Sequence, residues 1–114
     1  PEARPKPLIF FCQLGDGARR VGLRLFEEFR EAGIPVAEAF GKNALKAQLE
    51  VANKLAVPYA LLLGQKEVLD GTIIIRDMDS GAQEIVDSGK IVSIMRRKLA
   101  KAEGVTRPTQ DVVQ

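Results

Sequence analysis

Amide, carboxylate and cationic side chains carry whatever chemistry this 114-residue sequence can offer, because the usual catalytic residues are missing. There is no histidine, and Cys12 is the only thiol. Cys/His zinc sites, histidine acid–base pairs and Ser-His triads are therefore excluded within the chain, and neither a catalytic residue nor a metal site is expected. Hydrogen-bonding groups gather instead around glycine-marked turns. Gln13 precedes Gly15-Asp16-Gly17, Lys42, Lys46 and Gln48 follow Gly41, Glu67 follows Gly64, and Arg76-Asp77 precedes Met78-Asp79-Ser80-Gly81. Such groups suit the binding of an anion or of a ligand edge that presents donors and acceptors.

Gly15-Asp16-Gly17 completes neither phosphate-binding pattern. Arg20 stands where the third glycine of G-x-G-x-x-G would fall, and no Gly-Lys-Ser or Gly-Lys-Thr follows. The segment reads as a tight turn opening a helix. Gln48 is more informative: at about 100° per residue it lies beside Leu45, Ala52 and Leu55, away from Lys46, Glu50 and Lys54. A buried amide must be hydrogen-bonded, so it either satisfies loop backbone or is held at a crevice to read a ligand. Lys90, Arg96, Arg97, Lys98 and Lys101 stand between Ser88 and Ala102 with no acidic residue, and Lys90, Arg97 and Lys101 fall on one line of the helix, a basic stripe that suits a solvated helix C-terminus or contact with phosphate or an acidic partner. Residues 61–87 carry only Lys66 and Arg76 as cations, against six acidic residues.

The elements that must position these groups follow from periodicity. Residues 1–7 hold three prolines and read as a linker. Leu8–Cys12 is a continuous apolar run, as a strand buried on both faces requires. Ala18, Val21, Leu25, Phe29 and Ala32 recur at helical spacing, with Asp16 as candidate N-cap and Gly33 closing the helix. Pro35–Ala39 is a weak edge strand; 44–56 is a second helix with Asn43 as candidate cap; Val57–Leu63 is a second buried strand. The strand at 71–77, the turn at 78–81 and the return at 82–86 form a hairpin. A third helix is expected over 88–102, with a flexible tail at 104–114.

The order β-α-β-α-β-β-β-α gives an α/β, three-layer fold: a five-stranded mixed sheet of order 2-1-3-4-5 with three helices. The domain spans 8–103. A crevice is expected where the chain leaves the first and third strands in opposite directions, near Gln13–Gly17, Phe40–Asn43 and Gly64–Glu67. Phe40 reads mainly as core, with stacking on an unpaired base as its alternative; Phe10, Phe11, Phe29 and Tyr59 read as core. No run approaches the roughly 18 apolar residues of a membrane span. One cysteine forms no internal disulfide, which suits a reducing compartment, and a cytoplasmic location is expected. Formal net charge is +2, and the chain starts at Pro1 without an initiator Met, as an excised piece of a longer protein would.

The segments Leu45-Lys46-Ala47-Gln48-Leu49, Ala52-Asn53-Lys54-Leu55, Pro58–Gly64 and Gly71–Asp77, with the hairpin ending Ser80–Gln83, resemble the C-terminal anticodon-binding domain of class II aminoacyl-tRNA synthetases, and the histidyl enzymes most. The resemblance covers about residues 8–100. It implies a histidine-specific tRNA gripped by its anticodon loop, a class II catalytic domain elsewhere in the parent chain, ATP with Mg bound only in that domain, and a dimeric parent. It also implies tRNA-binding roles for Gln13, Lys46, Gln48, Glu67, Arg76 and Asp77, to which the cations Arg20 and Lys42 are added as candidates. Of these, Arg20, Lys42 and Lys46 suit phosphate, while Gln48, Glu67 and Asp77 suit base edges. Two other readings stand beside it: a synthetase-derived domain reused for protein interaction or regulation, and a free-standing flavodoxin-like enzyme, for which no nucleophile–base pair is visible.

Overall fold

Side chains alternate along a strand, so a run that is apolar at every position must be covered on both sides. This holds for Ile9–Cys12 of β1 (Ile9–Gln13) and for β3 (Tyr59–Leu63). The computed structural model describes residues 6–39, 41 and 44–102; Phe40, Lys42, the proposed cap Asn43, most of the expected linker and the tail lie outside the described residues. On one face of the sheet Ile9, Phe11, Leu61, Leu63, Ile73 and Ile75 pack under α1 (Asp16–Glu31) and α4 (Ile91–Ala102). On the other, Phe10, Cys12, Ala60 and Leu62 meet Ala52 and Val57 at α2 (Leu45–Leu55).

The sheet has the order β2-β1-β3-β4-β5. The edge strand β2 (Val36–Ala37) and β3 run parallel to β1, whereas β4 (Thr72–Asp77) and β5 (Gln83–Asp87) extend the sheet antiparallel. The five-stranded mixed sheet expected from the sequence is thus formed. Its helix inventory differs, because the stretch after β3 is not a loop: Gln65–Asp70 forms a short helix, α3, between Gly64 and Gly71. Six residues are too few to show a helical period, and local hydrogen bonding decides the matter: the Gly64 N–H donates to Glu67 Oε1 at 2.9 Å.

Helix ends depart from expectation in smaller ways. Asp16 is the first residue of α1 rather than its cap, and Gly15 enters at a φ of 97°, a left-handed conformation. The last helix opens with a 3-10 turn over Ser88–Lys90, where Asp87 Oδ1 accepts from the Gly89 N–H at 2.8 Å. The end of α2 carries strain, since Ala56 sits at φ 57° although its Cβ disfavours that region by about 1–2 kcal/mol. Replacing Ala56→Gly is expected to stabilise the fold by about 0.5–1 kcal/mol, read as a raised urea midpoint.

Cys12 has no solvent exposure. Burial pushes its thiol up from 9.0 to about 12, with the nearby Arg76 charge pulling the other way more weakly. A thiol is neutral when protonated, so a raised folded value favours the fold fully below the unfolded value and progressively less above it. Between about pH 9 and pH 12 the wild type should therefore lose stability faster than Cys12→Ala, measured as the difference between their unfolding free energies across that range.

Candidate functional site

Gln48 occupies the centre of the site. Among the described residues it is the one buried polar residue, 2% exposed, and it belongs to the apolar stripe of α2. Its Oε1 accepts from the Gln13 N–H at 2.9 Å and its Nε2 donates to the Gln13 carbonyl at 3.0 Å. The reason lies in the ladder. Leu14 directs its N–H toward β3, bonding the Leu63 carbonyl at 3.0 Å, so Gln13 directs its own groups toward β2. But β2 pairs only with Ile9 and Phe10 and has ended. The amide of Gln48 supplies the donor and acceptor that a longer β2 would have provided. The contact is to strand backbone at the end of β1 rather than to a loop, and it stands beside the cleft described next.

With its backbone held, Gln13 sends its side chain across the end of β2. The Nε2 donates to Glu38 Oε1, and the amide lies so close to α1 that a Cβ at Gly22 would meet Gln13 Oε1 at 2.4 Å. Gly22 is therefore the side-chain-free position that lets the amide pass. Around it opens a cleft of about 250 Å³, bordered by Arg19, Leu23, Phe26, Glu38 and Ala39. Leu23 is 72% exposed. Arg19 also pairs with Asp16 at 3.2 Å.

The expected crevice thus lies beside β1, displaced toward β2. Between β1 and β3 the space is taken by α3: a Cβ at Gly17 would stand 3.8 Å from Val68 Cγ1. The N-termini of α1, α2 and α3 all lie at this end of the sheet, where free N–H groups and helix dipoles favour anions. Arg20 on the second turn of α1 and Lys46 on the first turn of α2 are exposed, and Glu67 is partly buried with its carboxylate closing the first turn of α3. Lys42 lies outside the described residues.

Two predicted site residues are not gathered with these. Asp77 pairs with Tyr59 at the start of β3, whereas Gln13 pairs with Leu63 at its end. Four strand residues separate those levels, about 13 Å. Asp77 Oδ1 accepts from the Asp79 and Ser80 N–H groups at 2.9 and 3.0 Å, and these bonds hold its carboxyl below the usual range. Arg76 projects on the α2 side of the sheet, where α2 leaves β4 and β5 uncovered: Ile85 is 65% exposed, and Arg76 Nη1 donates to Gln83 Oε1 at 2.9 Å. The five basic residues of the expected last helix are not uniformly free. Lys98 is paired with Glu84 at 2.7 Å and stands 6.0 Å from the Tyr59 ring centre, while Lys90, Arg96, Arg97 and Lys101 are exposed. Glu38 and Gly22 escaped the sequence reading because nothing in their local pattern marks a long-range contact; a small residue on the buried stripe of α1 was the available hint. Among the described residues no group of three His, Cys, Asp or Glu could hold a metal ion, and no helix is long and apolar enough to cross a membrane.

A mixed sheet with helices on both faces and a cleft of mixed polar and apolar lining at its strand ends defines a small α/β domain of the doubly wound kind. The sequence matches the family described as anticodon binding domain over residues 10–98, and the chain belongs to that family. It is 38% identical over 94 residues to the histidine--tRNA ligase of Symbiobacterium thermophilum, covering 82% of this chain and 22% of that one. With the Pyrococcus furiosus histidine--tRNA ligase it shares 29% over 99 residues, 87% of this chain and 23% of the other. Among solved structures, the histidyl-tRNA synthetase from Nostoc superposes with a TM-score of 0.76 at 22% identity, covering 83% of this chain and 23% of that one. Apo S. aureus histidyl-tRNA synthetase gives 0.72 at 23%, covering 78% and 26%. The chain therefore spans less than a quarter of the curated relatives described.

Replacing Gln48→Ala would leave the Gln13 N–H and carbonyl without this partner and open a cavity beside them. It should cost about 2–4 kcal/mol in urea unfolding and speed hydrogen exchange at the Gln13 amide.

Proposed function

We propose that this chain grips the anticodon loop of a histidine-specific tRNA, as one domain of a histidine–tRNA ligase whose catalytic domain lies elsewhere in the parent protein. The observation that carries the reading is membership of the anticodon binding domain family over 10–98, joined to a polar cleft at the strand ends. Ligation, with ATP and Mg, belongs to the rest of the parent, which we take to be a cytoplasmic homodimer. The domain takes in 8–103, with 1–7 and 104–114 outside it.

Within this reading Arg20, Lys42 and Lys46 neutralise phosphates at the helix N-termini. Gln48 acts through Gln13, whose backbone it holds, and Glu67 borders the same end of the sheet. Arg76 contacts the loop on the uncovered face of β4 and β5, where Ile74 and Ile85 form an apolar floor, and Asp77 shapes the turn beside it. RNA loops offer unstacked bases that such a surface can accept.

Binding of the 114-residue chain to a histidine anticodon stem-loop, and to one with a changed anticodon, tests this across a salt series. The matched loop should bind at least tenfold more tightly. Lys46→Ala should weaken all loops alike and flatten the slope of log K against log salt by about 0.7–0.9, whereas Arg76→Ala should weaken the matched loop selectively. Equal affinity for both loops would sink the reading. Absence of RNA binding would favour reuse of the domain as a protein-interaction module.

A further inference from the structure

We infer that Glu38 selects a guanine edge in the cleft between β1 and β2, an inference that rests on the anticodon-loop reading above. Three observations place it there. Glu38 follows β2 directly, at the strand end where β1, α1 and α2 converge on the cleft. The amide of Gln13 is engaged with Glu38 on one side and lies against Gly22 on the other, while its backbone is held by Gln48, so Gln13 serves as a strut. Glu38 keeps acceptor capacity in reserve: a carboxylate offers about four lone-pair sites, and the amide takes one.

The chemistry of the bases then decides the ligand. A carboxylate accepts two parallel N–H groups well, and guanine alone among the four RNA bases offers adjacent N1–H and N2–H donors on one edge. Adenine and cytosine offer one amino group beside a ring acceptor, and uracil offers one imino group between two carbonyls. Each of these sets an acceptor against the carboxylate. The cleft suits a single ring system: its volume of about 250 Å³ lies below the roughly 300–1,000 Å³ of sites for larger ligands. Leu23 and Phe26 supply apolar walls for a base face, and the Arg19 side chain borders the opening.

Glu38→Gln separates this role from a structural one. The new amide retains a carbonyl to accept from Gln13, so the strut survives and the urea midpoint should stay within the error of wild type. It loses the charge and exchanges one acceptor oxygen for a donor. The 114-residue chain would be titrated with stem-loops in which each loop position in turn carries guanine or inosine, which lacks the N2 amine. Wild type should prefer guanine at one position by roughly five- to fiftyfold, and Glu38→Gln should reduce that ratio to within about twofold while leaving the salt slope unchanged. If the variant keeps the wild-type guanine-to-inosine ratio at every position, Glu38 is not the reader, even though loop recognition stands. If wild type fails to distinguish the matched anticodon loop from an unrelated hairpin, the anticodon reading falls and this inference with it.

Discussion

Strand β1 is buried on both faces and flanked by a neighbour that stops too soon, and this mismatch governs the rest of the structure. β2 contributes two residues, so the hydrogen-bonding groups of Gln13 would be stranded in an apolar setting. A buried N–H or carbonyl without a partner costs on the order of 1–3 kcal/mol. The Gln48 side chain removes that cost by presenting the same donor and acceptor pair as a peptide unit. In doing so it couples α2 to the end of β1 and leaves the space beside β1 unfilled by strand. The cleft exists because an amide side chain, rather than a further stretch of backbone, completes the ladder.

From that coupling the polar architecture spreads outward. Gln13 reaches Glu38 across the end of β2, and the path is open only because position 22 of α1 has no side chain. Three helix N-termini share this end of the sheet, which gives a positive field without a large net charge. Formal charge of +2 says little here, since residues 61–87 are mostly acidic while the last helix is basic. The exposed cations of α4 lie on one helix, while Glu84 draws Lys98 into an ion pair beside Tyr59.

Much of the fold was legible. Continuous apolar runs at 8–12 and 57–63, helical spacing over 18–32 and 44–56, and a β-branched hairpin lead to the observed strand order, because each signal is local and repeated. The short helix α3 was not legible: its apolar positions are too few to form a period, and it depends on the Glu67 carboxylate turning back to Gly64. Within the site, the wheel position of Gln48 announced its burial but not its partner. Arg76 and Asp77 stand just before a turn-rich segment that looks like the others, yet the antiparallel register of β3 and β4 carries them to the far end of the sheet from Gln13.

What the sequence determined by itself was the order of the strands and of the three longer helices, the absence of histidine chemistry, and the burial of an amide on α2. These depend on composition and on periods within a single element. What only the tertiary structure decided was which backbone group that amide would meet, that Glu38 and Gly22 would share its neighbourhood, and that α3 would close one side of β1 while the other stayed open. Those are contacts between residues as much as 35 positions apart, set by strand lengths and register, and no local pattern of residues encodes where one strand ends relative to its neighbour.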